Sequence, residues 1–180
     1  RGTDDTLVGW KEDFNMAFLD IVPGQRLAAD YLKGVAAQYK RRPLLVGGHS
    51  KGGNFAVYAA LHAGKRVQNR LERAYNNDGP GFRRSVLSQP AYQAIRDRIT
   101  TIFPQSSLVG MLLEHEERYT IVHSTQKGML QHDGFSWEVQ GPGFIRLDEI
   151  TREGQRINRA VQEFVNGLSQ EQREVFADAL

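Results

Sequence analysis

Apolar positions in the first third of the chain change from a helical to a strand pattern and back. From Gln25 to Tyr39 they recur every three or four residues, which predicts an amphipathic helix whose apolar face comprises Leu27, Ala28, Tyr31, Leu32, Val35, Ala36 and Tyr39. The apolar run Pro43 to Val46 is short enough for a buried strand, and Asn54 to Ala63 has the pattern of a second helix.

The rest of the chain continues this alternation. Three stretches predict strands: Leu71 to Asn76, Ile99 to Phe103 and Tyr119 to His123. Further helices are predicted at Trp10 to Phe18, at Ala91 to Arg98, along the apolar positions Ile157, Val161, Phe164, Val165 and Leu168, and after Ser169, which can form a capping box with Gln172. Strands that alternate with helices indicate one α/β domain over residues 1–180, with a mostly parallel sheet covered by helices on both faces.

The turn between the first strand and its helix contains a candidate nucleophile. Residues 48–52 read Gly-His-Ser-Lys-Gly and fit the pattern G-x-S-x-G. A serine on such a turn is held out of the sheet, and the amides of the following helix point towards it. We expect both flanking glycines to be required, because a Cβ at either position would collide with the turn or the sheet. This assigns Ser50 as the nucleophile.

A serine hydroxyl needs a base, and a group that orients the base. When G-x-S-x-G marks the nucleophile, the acid and then the histidine follow it in the chain. His132 lies late, in a polar loop after the last clear strand, and is the predicted base. The other four histidines receive structural interpretations: His49 packs in the turn and points away from the serine, His62 lies in the next helix, His115 belongs to a solvated cluster with Glu114, Glu116 and Glu117, and His123 lies in a strand.

The acid has more than one candidate. Asp78 ends the strand after Ser50 and can reach a histidine at the same sheet edge, although an aspartate before glycine also satisfies its own turn. The loop after Phe103 has no carboxylate before Glu114, which leaves Glu114, or an orienting role for Ser106 or Ser107, as alternatives. Asp78 is the preferred assignment.

An oxyanion formed at Ser50 requires preorganised donors. One is the backbone N–H of Lys51, the residue after the nucleophile. The second should come from an earlier loop, where Thr3 offers both an amide and a hydroxyl.

Composition narrows the classes of function. The net charge of +2 is too small to indicate a nucleic-acid partner, and the absence of cysteine excludes disulfides and thiolate metal sites. The histidines lack ligand spacing, so we expect no metal and no cofactor. No signal peptide and no apolar run of 18 residues is visible, and we expect a cytoplasmic protein without a transmembrane segment, whose natural N-terminal residues and first strands precede Arg1.

Several segments resemble known families. Arg1-Gly2-Thr3 with Trp10 and Asp13, and Gly-His-Ser-Lys-Gly-Gly at 48–53, resemble the oxyanion loop and nucleophile turn of class 3 lipases. Residues 77–82, 105–113 and 131–137 are similar to a related lipase-like family of largely uncharacterised bacterial proteins. This resemblance implies an α/β-hydrolase fold, with Ser50 as nucleophile, His132 as base and Thr3 in the oxyanion hole. Two departures are Lys51, where the lipases have leucine, and the missing acid after Pro104.

The expected function is hydrolysis of carboxylic esters, including acyl lipids, by Ser50, His132 and Asp78. The partner would be a small ester or lipid substrate. Lys51 and the missing carboxylate also favour an alternative, in which the hydrolase fold serves as a non-catalytic binding or scaffold module. Acyl transfer to an acceptor other than water would use the same residues.

Overall fold

A computed structural model of the chain describes Met16, residues 21–169 and Gln172, without the side chains of residues 157, 161, 165 and 166. The predicted helix from Trp10 to Phe18 and the predicted oxyanion residue Thr3 lie outside the described residues, apart from Met16.

The described strands form one main sheet of mixed direction. Its order is β1-β2-β3-β4-β7, where β1 (Leu44–His49), β2 (Leu71–Asn77), β3 (Ile99–Pro104) and β4 (Tyr119–Val122) are parallel and β7 (Arg146–Leu147) is antiparallel to β4. A separate two-stranded sheet consists of β5 (Val139–Gln140) and β6 (Gly143–Phe144). The predicted α/β class and mostly parallel sheet are therefore confirmed.

Helices lie between β1 and β2 and between β2 and β3, whereas the described segment between β3 and β4 contains none. In chain order they are α1 (Pro23–Gln38), α2 (Lys51–His62), α3 (Lys65–Gln68), α4 (Arg84–Leu87), α5 (Pro90–Ile95) and α6 (Arg152–Gly167). Short 3-10 helices occupy Arg96–Arg98, Gly128–His132 and Gly134–Ser136, so the predicted His132 loop is partly helical. The capping box is confirmed, since Ser169 N–H donates to Gln172 Oε1 at 2.8 Å and Gln172 N–H donates to Ser169 Oγ at 3.2 Å.

The predicted apolar face of α1 is partly wrong. Leu27 and Tyr31 are 70% and 76% exposed, whereas the buried positions of the helix are Gln25, Ala29, Leu32 and Ala36. Gln25 Nε2–H donates to Asn54 Oδ1 of α2 at 2.8 Å. Packing against α2 buries the face of α1 that carries small residues and the hydrogen-bonded Gln25 amide. The larger side chains of Leu27 and Tyr31 are left exposed.

The two faces of the main sheet differ in burial. On one face Ala74, Ile99, Thr101, Phe103 and Ile121 are buried. On the other face Leu45 is 62% and Tyr75 is 39% exposed. Among the described residues the second face is therefore the more open one, at the end of the sheet formed by β1 and β2.

The sheet brings three chain segments to one edge. β1, β2 and β3 are parallel, so their carboxyl ends lie side by side, and Ser50, Asp78 and the loop after Pro104 begin there. No helix in the described part of the chain is both long and apolar enough to cross a bilayer.

Candidate active site

Ser50 occupies a strained turn between β1 and α2. Its φ is 58° and its ψ is −137°, a backbone conformation that residues other than glycine rarely adopt. Its N–H donates to Asn77 O at 2.9 Å, and its carbonyl accepts the N–H of Gly53 at 2.8 Å. Main-chain bonds to the sheet and to the helix therefore hold the turn from both sides.

The glycines of the turn are not equally constrained. A Cβ at Gly48 would overlap the main-chain oxygen of Gly52, and one at Gly53 would overlap the Asn76 side chain. Within the described part of the chain, a Cβ at Gly52 would meet nothing within 4 Å beyond its own helix and its chain neighbours. The expectation that both flanking glycines are required is therefore right for Gly48 and wrong for Gly52.

Asp78 presents a buried carboxylate at the end of β2. The residue is 0% exposed and has a φ of 51°, a left-handed conformation that aspartate tolerates better than most residues. Its Oδ2 accepts a hydrogen bond from His132 Nδ1–H at 2.7 Å. Its Oδ1 accepts the Ser107 hydroxyl and the Gly110 N–H, the latter at 3.2 Å. These donors compensate for the burial of the charge.

The contact with Asp78 determines the tautomer of His132. A carboxylate only accepts, so Nδ1 carries a proton and Nε2 of the neutral ring keeps a free lone pair. A ring in this state can take a proton at Nε2. The described residues show no hydrogen bond between Ser50 Oγ and His132, a contact that often tightens only when substrate is bound.

Side chains hold the segment around His132 at two consecutive carbonyls. Trp137 Nε1–H donates to Gln131 O at 2.9 Å, and His49 Nε2–H donates to His132 O at 2.6 Å. The His49 and His132 ring centroids lie 4.6 Å apart. His49 is exposed, so the interpretation that it packs in the turn is wrong; its ring contacts the candidate base instead.

The other candidate acids have different partners. The exposed Glu114 carboxylate lies 3.7 Å from Arg84 Nε, and Ser106 Oγ pairs with Thr151 Oγ1. Ser107 contacts the Asp78 carboxylate rather than the His132 ring. The structure therefore joins Asp78 and His132, with Ser107 as a supporting donor, while the catalytic roles of these residues remain predictions.

The predicted oxyanion donors are only partly described. Lys51 begins α2, directly after Ser50, so its N–H belongs to the first turn of that helix. Lys51, whose charge the sequence places beside the turn, is buried at 6% exposure. Thr3 lies outside the residues that the structure describes.

A second histidine–carboxylate pair lies behind Asp78. The side chains of His115 and Glu117 are 9% and 4% exposed, so the predicted solvated cluster is wrong for these two residues. His115 Nδ1 lies 2.8 Å from Glu117 Oε1 and His115 Nε2 lies 2.7 Å from Gly110 O. Both ring nitrogens thus face acceptors, which is the geometry of an imidazolium. His115 therefore binds the carbonyl of Gly110, the residue whose N–H donates to Asp78.

The environment of Glu117 favours its charged form. Burial raises the pKa of Glu117, but the hydrogen bond and charge of His115, with the hydroxyls of Thr101 and Tyr92, outweigh burial and lower this pKa to about 2. Burial and the neighbouring Glu117 raise the pKa of the Tyr92 phenol far above its ordinary value. This network could not be predicted from the sequence, because Tyr92 and Thr101 precede Glu117 by 25 and 16 residues.

A mostly parallel α/β sheet carries, at one edge, a serine on a strained turn and a histidine bonded to a buried carboxylate; this arrangement defines a class of candidate active site but not a particular reaction. The family model described as Mbeg1-like matches residues 1–180, and the chain belongs to the Mbeg1-like family. Neither the curated proteins nor the solved structures compared with the chain include a match.

Proposed function

We propose that this protein is a serine hydrolase that cleaves carboxylic esters on an α/β-hydrolase fold related to the lipases. The observation that carries the proposal is the 2.7 Å hydrogen bond between Asp78 and His132, at the sheet edge where Ser50 sits on its strained turn. The proposed nucleophile, acid and base follow one another in the chain as Ser50, Asp78 and His132. This is the order found in hydrolases with a G-x-S-x-G turn.

Each residue has a defined step in this proposal. Ser50 Oγ attacks the acyl carbonyl while His132 Nε2 takes its proton. Asp78 keeps the His132 ring in the Nδ1–H tautomer and stabilises the imidazolium that forms. The N–H groups of Lys51 and Thr3 bind the oxyanion, and His132 then passes its proton to the departing alcohol. Water attacks the acyl enzyme, again with His132 as base, and releases the acid.

A cleft lies along α2 and is lined, in the described part of the chain, by residues from Asn54 to His62 rather than by Ser50, Asp78 or His132, so it does not identify the acyl group. It has a volume of about 240 Å³, and Ile21, Phe82, Val86 and Leu113 contribute to its wall. It also includes Asn54, one helical turn after Ser50, whose side-chain amide binds the carbonyls of Pro80 and Gly81 at 3.1 Å and 3.0 Å.

The test compares hydrolysis of p-nitrophenyl butyrate by the wild type, Ser50→Ala and Ser88→Ala. Ser88 is an exposed serine at the end of α4 and serves as a matched control. We expect Ser50→Ala to lower kcat by at least about 1000-fold and Ser88→Ala to leave it unchanged. Equal rates for the wild type and Ser50→Ala would refute the proposal.

The alternative is a non-catalytic binding module, and the buried Lys51 beside the nucleophile is the observation that favours it. A fluorophosphonate probe separates the two functions. Labelling of the wild type that Ser50→Ala abolishes supports the hydrolase, whereas a wild type that folds but resists the probe supports the binding module.

A further inference from the structure

We infer that His49 is a positioning residue that holds His132 in the orientation needed to accept a proton from Ser50. The inference rests on the proposed function, and adds to it a residue from inside the G-x-S-x-G turn. His49 therefore couples the turn that carries the nucleophile to the segment that carries the base.

The hydrogen bond from His49 is unambiguous in direction. A main-chain carbonyl only accepts, so His49 Nε2 carries the proton that bonds to His132 O at 2.6 Å. The bond fixes the main chain of His132, while Asp78 fixes Nδ1 of its ring at 2.7 Å. Two independent contacts thus restrain the residue, one on its main chain and one on its side chain.

The ring of His49 adds a third restraint. Its centroid lies 4.6 Å from that of His132 at an interplanar angle of 37°, and 6.3 Å from that of Trp137, nearly edge to face. Both rings therefore pack against His49, and Trp137 in turn holds the carbonyl of Gln131 at 2.9 Å. The His132 ring, which packs on His49 and is bonded to Asp78, therefore has little freedom to rotate about the Asp78 contact.

The location of His49 explains how it can affect the position of His132 relative to Ser50. It is the last residue of β1, and its main chain pairs with Asn77 at the end of β2, directly before Asp78. A shift of the His132 segment relative to β1 would change the approach of Nε2 to Ser50. Misplacement of a reacting group by about 1 Å can cost about 100-fold in rate.

Two variants separate the donor from the ring. His49→Gln keeps an N–H near the position of Nε2 and loses the ring, whereas His49→Phe keeps a ring and loses the donor. We expect His49→Phe to lower kcat for p-nitrophenyl butyrate about 10- to 100-fold with KM within about twofold, since His49 acts through His132. His49→Gln should retain at least about a third of the wild-type kcat. The control is His123→Gln, which removes an exposed histidine paired with Glu138.

The second readout does not need activity. The Nδ1–H proton of His132 should give a hydrogen-bonded NMR resonance that is sharp in the wild type and His49→Gln and broadened by exchange in His49→Phe, with all proteins folded by circular dichroism. Wild-type kcat in His49→Phe, or an equal loss in His49→Gln, would overturn the inference. If the wild type and Ser50→Ala hydrolyse ester equally, the proposed function fails, and the NMR signal alone then decides the role of His49. Broadening confined to His49→Phe would support the positioning role. Equal line widths in all variants would overturn it.

Discussion

Ser107 and Asp78 lie 29 residues apart in the chain and are joined by a hydrogen bond from Ser107 Oγ to Asp78 Oδ1. The serine occupies the loop after β3, the place of the acid in the lipases that the chain resembles, where this sequence lacks a carboxylate. The candidate acid, Asp78, instead directly follows β2, and the loop after β3 supplies a donor to it. The Oδ1 contacts leave Oδ2 for His132.

Loss of this donor should weaken the restraint on the candidate acid. In Ser107→Ala the Gly110 N–H remains as the donor to Oδ1, at 3.2 Å. We expect kcat for a soluble ester to fall about 10-fold, because a small displacement of a group that positions the base lowers the rate. Ser106→Ala is the matched control, because Ser106 Oγ pairs with Thr151. Equal rates in Ser107→Ala and the control would contradict the assigned role.

The identity of the acid can be tested by charge removal. Asp78→Asn keeps the size of the side chain but no longer holds His132 in the Nδ1–H tautomer by charge, and we expect kcat to fall by about 1000- to 10,000-fold. Glu114→Gln should be unaffected, since Glu114 pairs with Arg84 at the surface. Steady-state kinetics of both variants decide the point, and a larger loss in Glu114→Gln would reverse the assignment.

Two glycines of the serine turn should respond in opposite ways to alanine. Gly48→Ala places a methyl group against the Gly52 carbonyl and should destabilise the fold by about 1–3 kcal/mol. Gly52→Ala meets open space in the first turn of α2 and should be neutral or stabilising by up to about 1 kcal/mol. Urea unfolding measures both values, and a stable Gly48→Ala protein would show that the turn adopts another geometry.

The buried Glu117 should make stability depend on acid pH. Its pKa is about 2 in the folded protein against 4.5 for the unperturbed group, so the unfolded chain binds the proton more readily. The stabilisation from this carboxylate is present above about pH 4.5 and is lost as the pH falls towards 2. We expect Glu117→Gln to lower stability at neutral pH and to flatten this part of the pH profile, measured by urea unfolding from pH 2 to 7. The same slope in both proteins would contradict the prediction.

The sequence was sufficient for the features that depend on local patterns. Strands β1 to β4, the turn at Ser50 and the position of Asp78 at a strand end follow from periodicity and from the topology of parallel sheets, whereas the two-residue strands β5, β6 and β7 are too short to show a pattern and were not predicted. The face that α1 buries could not be predicted, because its partner α2 decides which side chains are covered. Likewise, burial of His115 and Glu117 depends on Thr101 and Tyr92, which approach them only in the folded chain.

The separation of the contacting residues has a consequence for folding kinetics. The Asp78–His132 contact spans 54 residues and the His49–His132 contact spans 83. Closing such long loops requires the intervening strands to be in place, so these contacts should form late. During refolding, helical circular dichroism should recover before reactivity towards a fluorophosphonate does. A chain arrested before β4 docks would then be compact and unreactive, and reactivity would report completion of the fold rather than the presence of Ser50.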